Sequence, residues 1–244
     1  MLAETTAEER RDATHPSPAI RIVKRGVDVV VAGAAVVLTA PLLVALLLAS
    51  AAVFRANPLF VQHRVGRHGR SIPVPKVRSI PADAPRAADK RELALLPIPP
   101  WGRFLRRSHL DELPQLWAVL MGDMSLVGPR PEMAWLAERF EPDFARLRVT
   151  VRPGITGLWQ VSDGADGLIV ESPEYDAFYV RHMGLRFDLW LMWRTVRMVL
   201  PGASPVTSDD LRTWTAVPVA ELRPGARRLD VAGAPLELAA TGTE

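Results

Sequence analysis

The densest run of polar side chains in this 244-residue sequence is Arg103-Phe104-Leu105-Arg106-Arg107-Ser108-His109-Leu110-Asp111-Glu112. Two adjacent carboxylates stand about one helical turn from Arg106 and Arg107. More cations come from Lys76-Val77-Arg78, from Gly128-Pro129-Arg130-Pro131 and from Arg152-Pro153-Gly154. Phosphoryl transfer needs such a set: cations to spread charge over the phosphoryl oxygens, a carboxylate to hold Mg2+, and a nucleophile. An Asp carboxylate can itself be the nucleophile and form an acyl phosphate. Glu112 does not duplicate Asp111, because neighbours on a helix point about 100° apart. The same residues also carry a plainer, structural reading. Ser108 caps a helix, and Asp111 lies in its first turn, where the helix dipole favours a carboxylate.

Composition narrows the chemistry. The chain has no cysteine, which excludes disulfides and thiolate catalysis. Its five histidines, His15, His63, His68, His109 and His182, form no pair at metal-ligand spacing on an expected helix and read as non-ligands. A net charge of +3 with a pI near 9.8 favours phosphate-bearing or anionic-lipid partners. Basic residues beside apolar ones also suit nucleic-acid binding. The sequence, however, has no nucleic-acid fold signature, and its aromatics follow helix faces rather than a stacking platform.

The elements that must position these residues are legible in part. Val29 to Phe54 carries no charged side chain and is long enough to cross a bilayer once. Pro41 sits near its middle, where the ring removes a backbone hydrogen bond and kinks a helix. Arg21, Lys24 and Arg25 precede the run, and Arg55, Arg64, Arg67 and Arg70 follow it. Because basic flanks favour the cytoplasm, both ends prefer one side, and the segment is expected to enter, bend near Pro41 and return. A kinked single-pass anchor is the alternative. A cleaved signal peptide, suggested by Ala49-Ser50-Ala51, does not fit so long an apolar run.

Phe60 to Arg78 reads as two extended pieces around Gly66-Arg67-His68-Gly69, and residues 81–100 as a loop. Ser108 to Met121 reads as helical, with Leu110, Leu113, Leu116, Trp117 and Leu120 at helical spacing. Pro131 suits the first turn of another helix, whose stripe is Trp135, Leu136, Phe140 and Phe144. Residues 150–162 read as extended. Leu185 to Leu200, with Trp190, Trp193, Arg186, Arg194 and Arg197, fits either a membrane-interface helix or a core helix.

Taken together, these motifs resemble a known family. Ser108-His109-Leu110-Asp111-Glu112-Leu113-Pro114-Gln115-Leu116 and Gly122-Asp123-Met124-Ser125-Leu126-Val127-Gly128-Pro129-Arg130-Pro131-Glu132 are similar to the bacterial sugar transferases, the monotopic phosphoglycosyl transferases in their minimal form. So are Lys24-Arg25-Gly26-Val27-Asp28, Gln62-His63-Arg64-Val65-Gly66, Lys76-Val77-Arg78-Ser79 and Pro153-Gly154-Ile155-Thr156-Gly157. The resemblance covers roughly residues 20–204. It departs from the family's usual pattern at Ala40, His63 and Ala165.

The resemblance implies that Asp111 is a covalent nucleophile. It attacks the β-phosphorus of a UDP-sugar, releases UMP and passes the sugar-phosphate to polyprenyl phosphate. It implies Mg2+, held partly by Asp111, and a second acid at Glu112 that assists metal or proton handling. It makes Arg106 and Arg130 phosphate-binding, and Pro41 the kink of a re-entrant membrane helix. Arg107, Lys76, Arg78 and Arg152 are expected to bind substrate phosphates beside them.

The expected fold is α+β and mostly helical, with a re-entrant helix-kink-helix, interface helices and a small cytoplasmic catalytic domain. The divisions are a disordered lead at 1–19, a membrane hairpin at 20–56, a catalytic domain at 57–204 and a tail at 205–244. The expected partners are a UDP-sugar, polyprenyl phosphate and inner-membrane lipids, without nucleic acid, and a homodimer is left open. The pathway would be the first membrane step of an exopolysaccharide, capsule or glycoconjugate. Two rivals remain: a non-catalytic membrane scaffold of the same fold, and a single-pass protein with a basic nucleic-acid-binding domain.

Overall fold

The computed structural model describes residues 18–85, 95–198, 200 and 202–214. The first element, α1 (Pro18–Phe54), is one continuous helix of 37 residues with Pro41 inside it. At 1.5 Å per residue it is about 55 Å long. The two halves of the expected helix-kink-helix are thus continuous in secondary structure, with Pro41 inside the helix where the bend was expected. Pro41 removes a single donor, and the Thr39 hydroxyl donates to the Ala35 carbonyl at 2.7 Å one turn earlier. Among the described residues α1 is the one helix long and apolar enough to cross a membrane, with mean hydropathy 2.6 over its most apolar window. Much of its apolar surface is unpacked: Val37, Leu38, Val44 and Leu48 are exposed.

Next comes an antiparallel hairpin of β1 (Leu59–Val65) and β2 (Ser71–Val77), in register Phe60↔Lys76, Gln62↔Val74 and Arg64↔Ile72. The period-two pattern puts Phe60, Gln62 and Arg64 on the inner face with Ile72, Val74 and Lys76. α2 (Pro100–Ser108) follows, then a 3-10 turn at Leu110–Glu112 and α3 (Gln115–Met121). β3 (Ser125–Val127) pairs in parallel with β4 (Gly154–Thr156), and the short α4 (Ala134–Ala137) and α5 (Pro142–Arg148) lie between them. α6 (Leu158–Val161), α7 (Glu174–His182) and α8 (Leu185–Met198) complete the body. Tyr179, Phe178, Phe187, Met124, Leu158 and Leu191 are fully buried at its centre.

Several boundaries differ from the sequence reading, each for a local reason. The helix expected over 108–121 is broken at His109, which adopts a left-handed φ of 56° and ends α2. Ser108 is consequently not an N-cap. It closes α2, and its hydroxyl donates to the carbonyls of Phe104 and Leu105. The helix expected after Pro131 starts at Ala134 and restarts at Pro142, where the Glu141 carboxylate caps the amides of Asp143 and Phe144. Of 150–162 only Gly154–Thr156 is a strand, and Leu158–Val161 is helical. Pro18 and Ala19, read as part of the lead, already belong to α1. Packing continues past residue 204: Val206 bridges to Ser162, Leu211 is buried and Trp214 lies 4.7 Å from the Phe187 ring. The rest of the expected lead, residues 86–94 of the expected loop and residues 215–244 of the tail lie outside the described residues.

α1 is bolted to this body at both ends of its apolar run. Lys24 donates to the Asp188 carboxylate at 2.6 Å, and Arg25 donates to the carbonyls of Val119 and Leu120 at the end of α3. The buried Asp28 accepts from the Leu126 amide in β3. Twenty-two residues later, the Ser50 hydroxyl accepts from the Trp101 indole at 2.9 Å, and Leu46 packs with Val77 and Leu105. Lys24 and Arg25, counted in the sequence as a basic flank, are therefore spent on the body. Arg64 and Arg67, counted on the other flank, also bond within it, to the Pro131 and Thr150 carbonyls.

Candidate active site

A cavity of about 350 Å³ opens between the inner face of the β1–β2 hairpin, the turn after α2, the loop at 128–133 and the segment 165–169. The break at His109 is what builds its floor. Leaving α2 through a left-handed residue turns the chain sharply, and the 3-10 turn then carries Asp111 and Glu112 into the cavity on different sides. Glu112 meets Lys76 at 2.7 Å and Arg130 at 3.6 Å. Asp111 is only 5% exposed, yet among the described residues it makes no hydrogen bond or ion pair.

These environments set the two carboxyls apart. Burial alone would raise both. For Glu112 the charges of Lys76 and Arg130 outweigh it and hold the group well below the usual carboxylate range. For Asp111 burial prevails, with the Glu112 charge adding to it against Lys76 and Arg106, and its carboxyl lies above the ordinary value. Glu112 is thus an anion that fixes two cations, whereas Asp111 is a more basic carboxylate left open to a ligand.

The cations are held through their own main-chain and side-chain bonds. Arg130 stands in a loop made possible by two glycines: a Cβ on Gly128 would come within 2.5 Å of the Arg152 carbonyl, and one on Gly154 within 2.1 Å of the Gly128 nitrogen. Arg148, buried on Asp176 at 2.8 Å, also donates to the Arg130 carbonyl. Arg64 donates to the Pro131 carbonyl at 2.6 Å and to Gln62. Burial, followed by the neighbouring Arg130 charge, pulls Arg64 down to about 10, so it remains a cation at neutral pH.

Of the residues singled out in the sequence, the fold brings Lys76, Arg106, Asp111, Glu112 and Arg130 to this one cavity. Arg107 is exposed on α2 and lines none of it. Arg78 turns to the Asn57 carbonyl and stacks over Phe60, and Arg152 donates to the Gly122 carbonyl beside a different cavity. Arg64, Gln62 and Glu132 line the cavity and were missed, as were the aromatic walls Phe60, Trp135 and Trp159. The alternation Phe60-Gln62-Arg64 opposite Lys76 was the available signal. The departures from the family pattern fall differently. His63 is exposed on the outer face of β1 and Ala40 is exposed on α1, while Ala165 lines the cavity.

No group of three carboxylate or imidazole side chains converges among the described residues. A closed all-protein metal site is therefore not what this donor set offers. One open carboxylate fits instead the usual holding of Mg2+, by one or two carboxylates together with substrate phosphates and water.

Residues 19–202 match the family described as bacterial sugar transferase. The chain is 34% identical over 198 residues to the UDP-N-acetylgalactosamine-undecaprenyl-phosphate N-acetylgalactosaminephosphotransferase of Aeromonas hydrophila, covering 77% of this chain and 46% of that protein. It is 36% identical over 199 residues to the undecaprenyl-phosphate galactose phosphotransferase of Salmonella typhimurium, covering 74% and 41%. It is 36% identical over 204 residues to the UDP-glucose:undecaprenyl-phosphate glucose-1-phosphate transferase of Caulobacter vibrioides, covering 76% and 72%. The chain thus spans less than half the length of the first two and nearly three quarters of the third.

Proposed function

The chain belongs to the bacterial sugar transferase family, and from that premise we propose that it moves a sugar-1-phosphate from a UDP-sugar to polyprenyl phosphate through a phosphosugar on Asp111. The observation that carries this reading is the unpartnered Asp111 carboxylate beside Lys76, Arg106 and Arg130 in one cavity. An Asp–Arg or Asp–Lys ion pair would blunt a nucleophile. Here Glu112 takes that role and leaves Asp111 free.

In the first step an Asp111 carboxylate oxygen bonds to the phosphorus that bears the sugar, and the bond from that phosphorus to the bridging oxygen breaks. UMP leaves with the electron pair. In the second step a polyprenyl phosphate oxygen attacks the same phosphorus and Asp111 leaves as the carboxylate, which gives polyprenyl-diphosphate-sugar. Lys76, Arg106 and Arg130 face the charge that develops on the phosphoryl oxygens. Mg2+, held by Asp111 and the diphosphate, would neutralise part of that charge when bound.

The membrane arrangement belongs to the same proposal. Asp28 and Ser50 flank almost the whole apolar run, and both bond to one body. A complete crossing between them would carry one of these contacts to the far side of the bilayer. We therefore read α1 as dipping into the inner membrane and returning to a cytoplasmic body, with the reaction opening a polysaccharide, capsule or glycoconjugate pathway.

A covalent step makes the kinetics ping-pong. UMP should appear from enzyme, UDP-sugar and Mg2+ before any polyprenyl phosphate is added, and labelled sugar-phosphate should stay on the protein. Asp111→Asn should abolish both signals. If UMP release strictly requires the lipid acceptor, the covalent reading fails and a single displacement replaces it.

A further inference from the structure

Arg152, expected at the active site, lies instead in a second, shallow cavity whose lining shares no residue with the first. This cup is lined by Arg21, Lys24, Arg25, Arg67 and Arg152, with Asp28 as its one carboxylate. Asp28 is already committed to the Leu126 amide and Lys24 to Asp188. Arg25, Arg67 and Arg152 have no carboxylate partner among the described residues, although each is half-buried. Each is also locked in place by a main-chain carbonyl: Arg25 by Val119 and Leu120, Arg67 through Nε by Thr150, and Arg152 through Nε by Gly122. Among the described residues the terminal nitrogens of Arg67 and Arg152 have no protein acceptor.

Three partly desolvated guanidinium groups side by side repel one another, and the nearby carboxylates Asp28 and Asp123 offset this in part without forming an ion pair to any of the three among the described residues. Burial and then the Arg25 and Arg67 charges pull Arg152 below its ordinary value. Such a cost persists where a ligand offsets it. Planar forks fixed at one edge and open at the other match the oxygens of a phosphate group, which accepts charge-assisted bonds from several donors at once.

We propose that this cup binds the phosphate of an anionic lipid headgroup. Its place on the chain selects the lipid. Arg21, Lys24 and Arg25 occupy the helical turns immediately before Val29, where the charge-free run of α1 begins. If that run enters the hydrocarbon, the cup stands at headgroup depth. Bound there, the lipid would clamp α1, α3 and the segment 150–152 that leads into β4 together. This site is separate from the transfer reaction and does not depend on it.

The test uses the full chain in a neutral detergent at fixed, low ionic strength, with thermal unfolding and native mass spectrometry as readouts. Short-chain phosphatidylglycerol should raise Tm and leave one lipid retained per chain, and phosphatidylcholine should do so far less. Arg67→Gln/Arg152→Gln keeps an N–H for each carbonyl but removes both charges. It should keep the lipid-free Tm and weaken phosphatidylglycerol binding about tenfold or more. Arg67→Lys/Arg152→Lys should retain part of the binding. If inorganic phosphate raises Tm as much as phosphatidylglycerol, with the same dependence on the two arginines, the site takes a soluble phosphate and the lipid assignment is overturned. If neither raises Tm, or the double glutamine variant binds phosphatidylglycerol as the parent does, the cup is not a phosphate site.

Discussion

Removing Lys76 is the sharpest probe of the candidate active site. Its ammonium lies 2.7 Å from Glu112, and both side chains are less than one fifth exposed. At an effective dielectric of about 20, unit charges at that range attract by roughly 6 kcal/mol, much of it offset by the cost of taking both out of water. Lys76→Met leaves Glu112 with Arg130 alone at 3.6 Å, and losing one partner of a buried pair costs about 3–5 kcal/mol. For a chain of this size that is a fall in Tm of roughly 6–20 °C. Lys76→Met/Glu112→Gln, which buries neither charge, should recover most of the loss. The pH dependence follows from the direction of the Glu112 shift. A carboxyl held below its ordinary value of 4.5 adds stability that is complete above that value and is lost as pH falls through the depressed one. Without Lys76, burial is countered by Arg130 and the more distant charges, so the carboxyl rises from its depressed position and contributes less stability at neutral pH. The Tm gap between parent and Lys76→Met should therefore be widest at pH 7 and narrow as pH falls below about 5. A gap that does not change with pH, or a double variant as unstable as the single one, would refute the reasoning.

Two further outcomes test other parts of the structure. Arg148→Met removes the donor to the Arg130 carbonyl and strands Asp176, so it should cost about 3–5 kcal/mol of stability, read as Tm, and lower turnover; Arg148→Lys should not restore turnover, because one ammonium cannot reproduce a fork aimed at two acceptors. The cysteine-free chain permits single-cysteine mapping of the membrane segment: Ala19→Cys and Ala56→Cys should both resist an impermeant maleimide in intact cells and both react after permeabilisation, whereas labelling of one alone would restore the single-pass anchor.

The candidate catalytic carboxylates were legible because chemistry concentrates them in sequence. Asp111 and Glu112 sit amid arginines in a ten-residue run, and Arg130 and Lys76 come to them from loop and strand positions that a motif can mark. What a motif cannot mark is direction. Lys76 and Arg78 lie two residues apart, yet β2 ends between them, and only the residue still in the ladder keeps the inner face opposite Phe60. His109 has no sequence signal for its left-handed turn, since glycine or asparagine is the usual residue there. Periodicity therefore ran a single helix through the position that aims Asp111. Pro142 did carry a signal, as a helix start rather than an interior residue.

The arginines were harder to place than the acids for a reason of valence. In the cavity Glu112 finds two cations and Asp111 stands open, and either state suggests a role. A guanidinium has five donors and is satisfied as well by carbonyls as by charges. Arg25 on Val119 and Leu120, Arg64 on Pro131, Arg67 on Thr150, Arg148 on Arg130 and Arg152 on Gly122 all take main-chain oxygens. Those acceptors exist in every sequence and so leave no trace in it. Counting basic residues around the apolar run consequently treated structural bolts as a topological signal. The case for both ends of α1 lying on one side rests better on the bonds of Asp28 and Ser50, two small polar side chains 22 residues apart that each reach the same body.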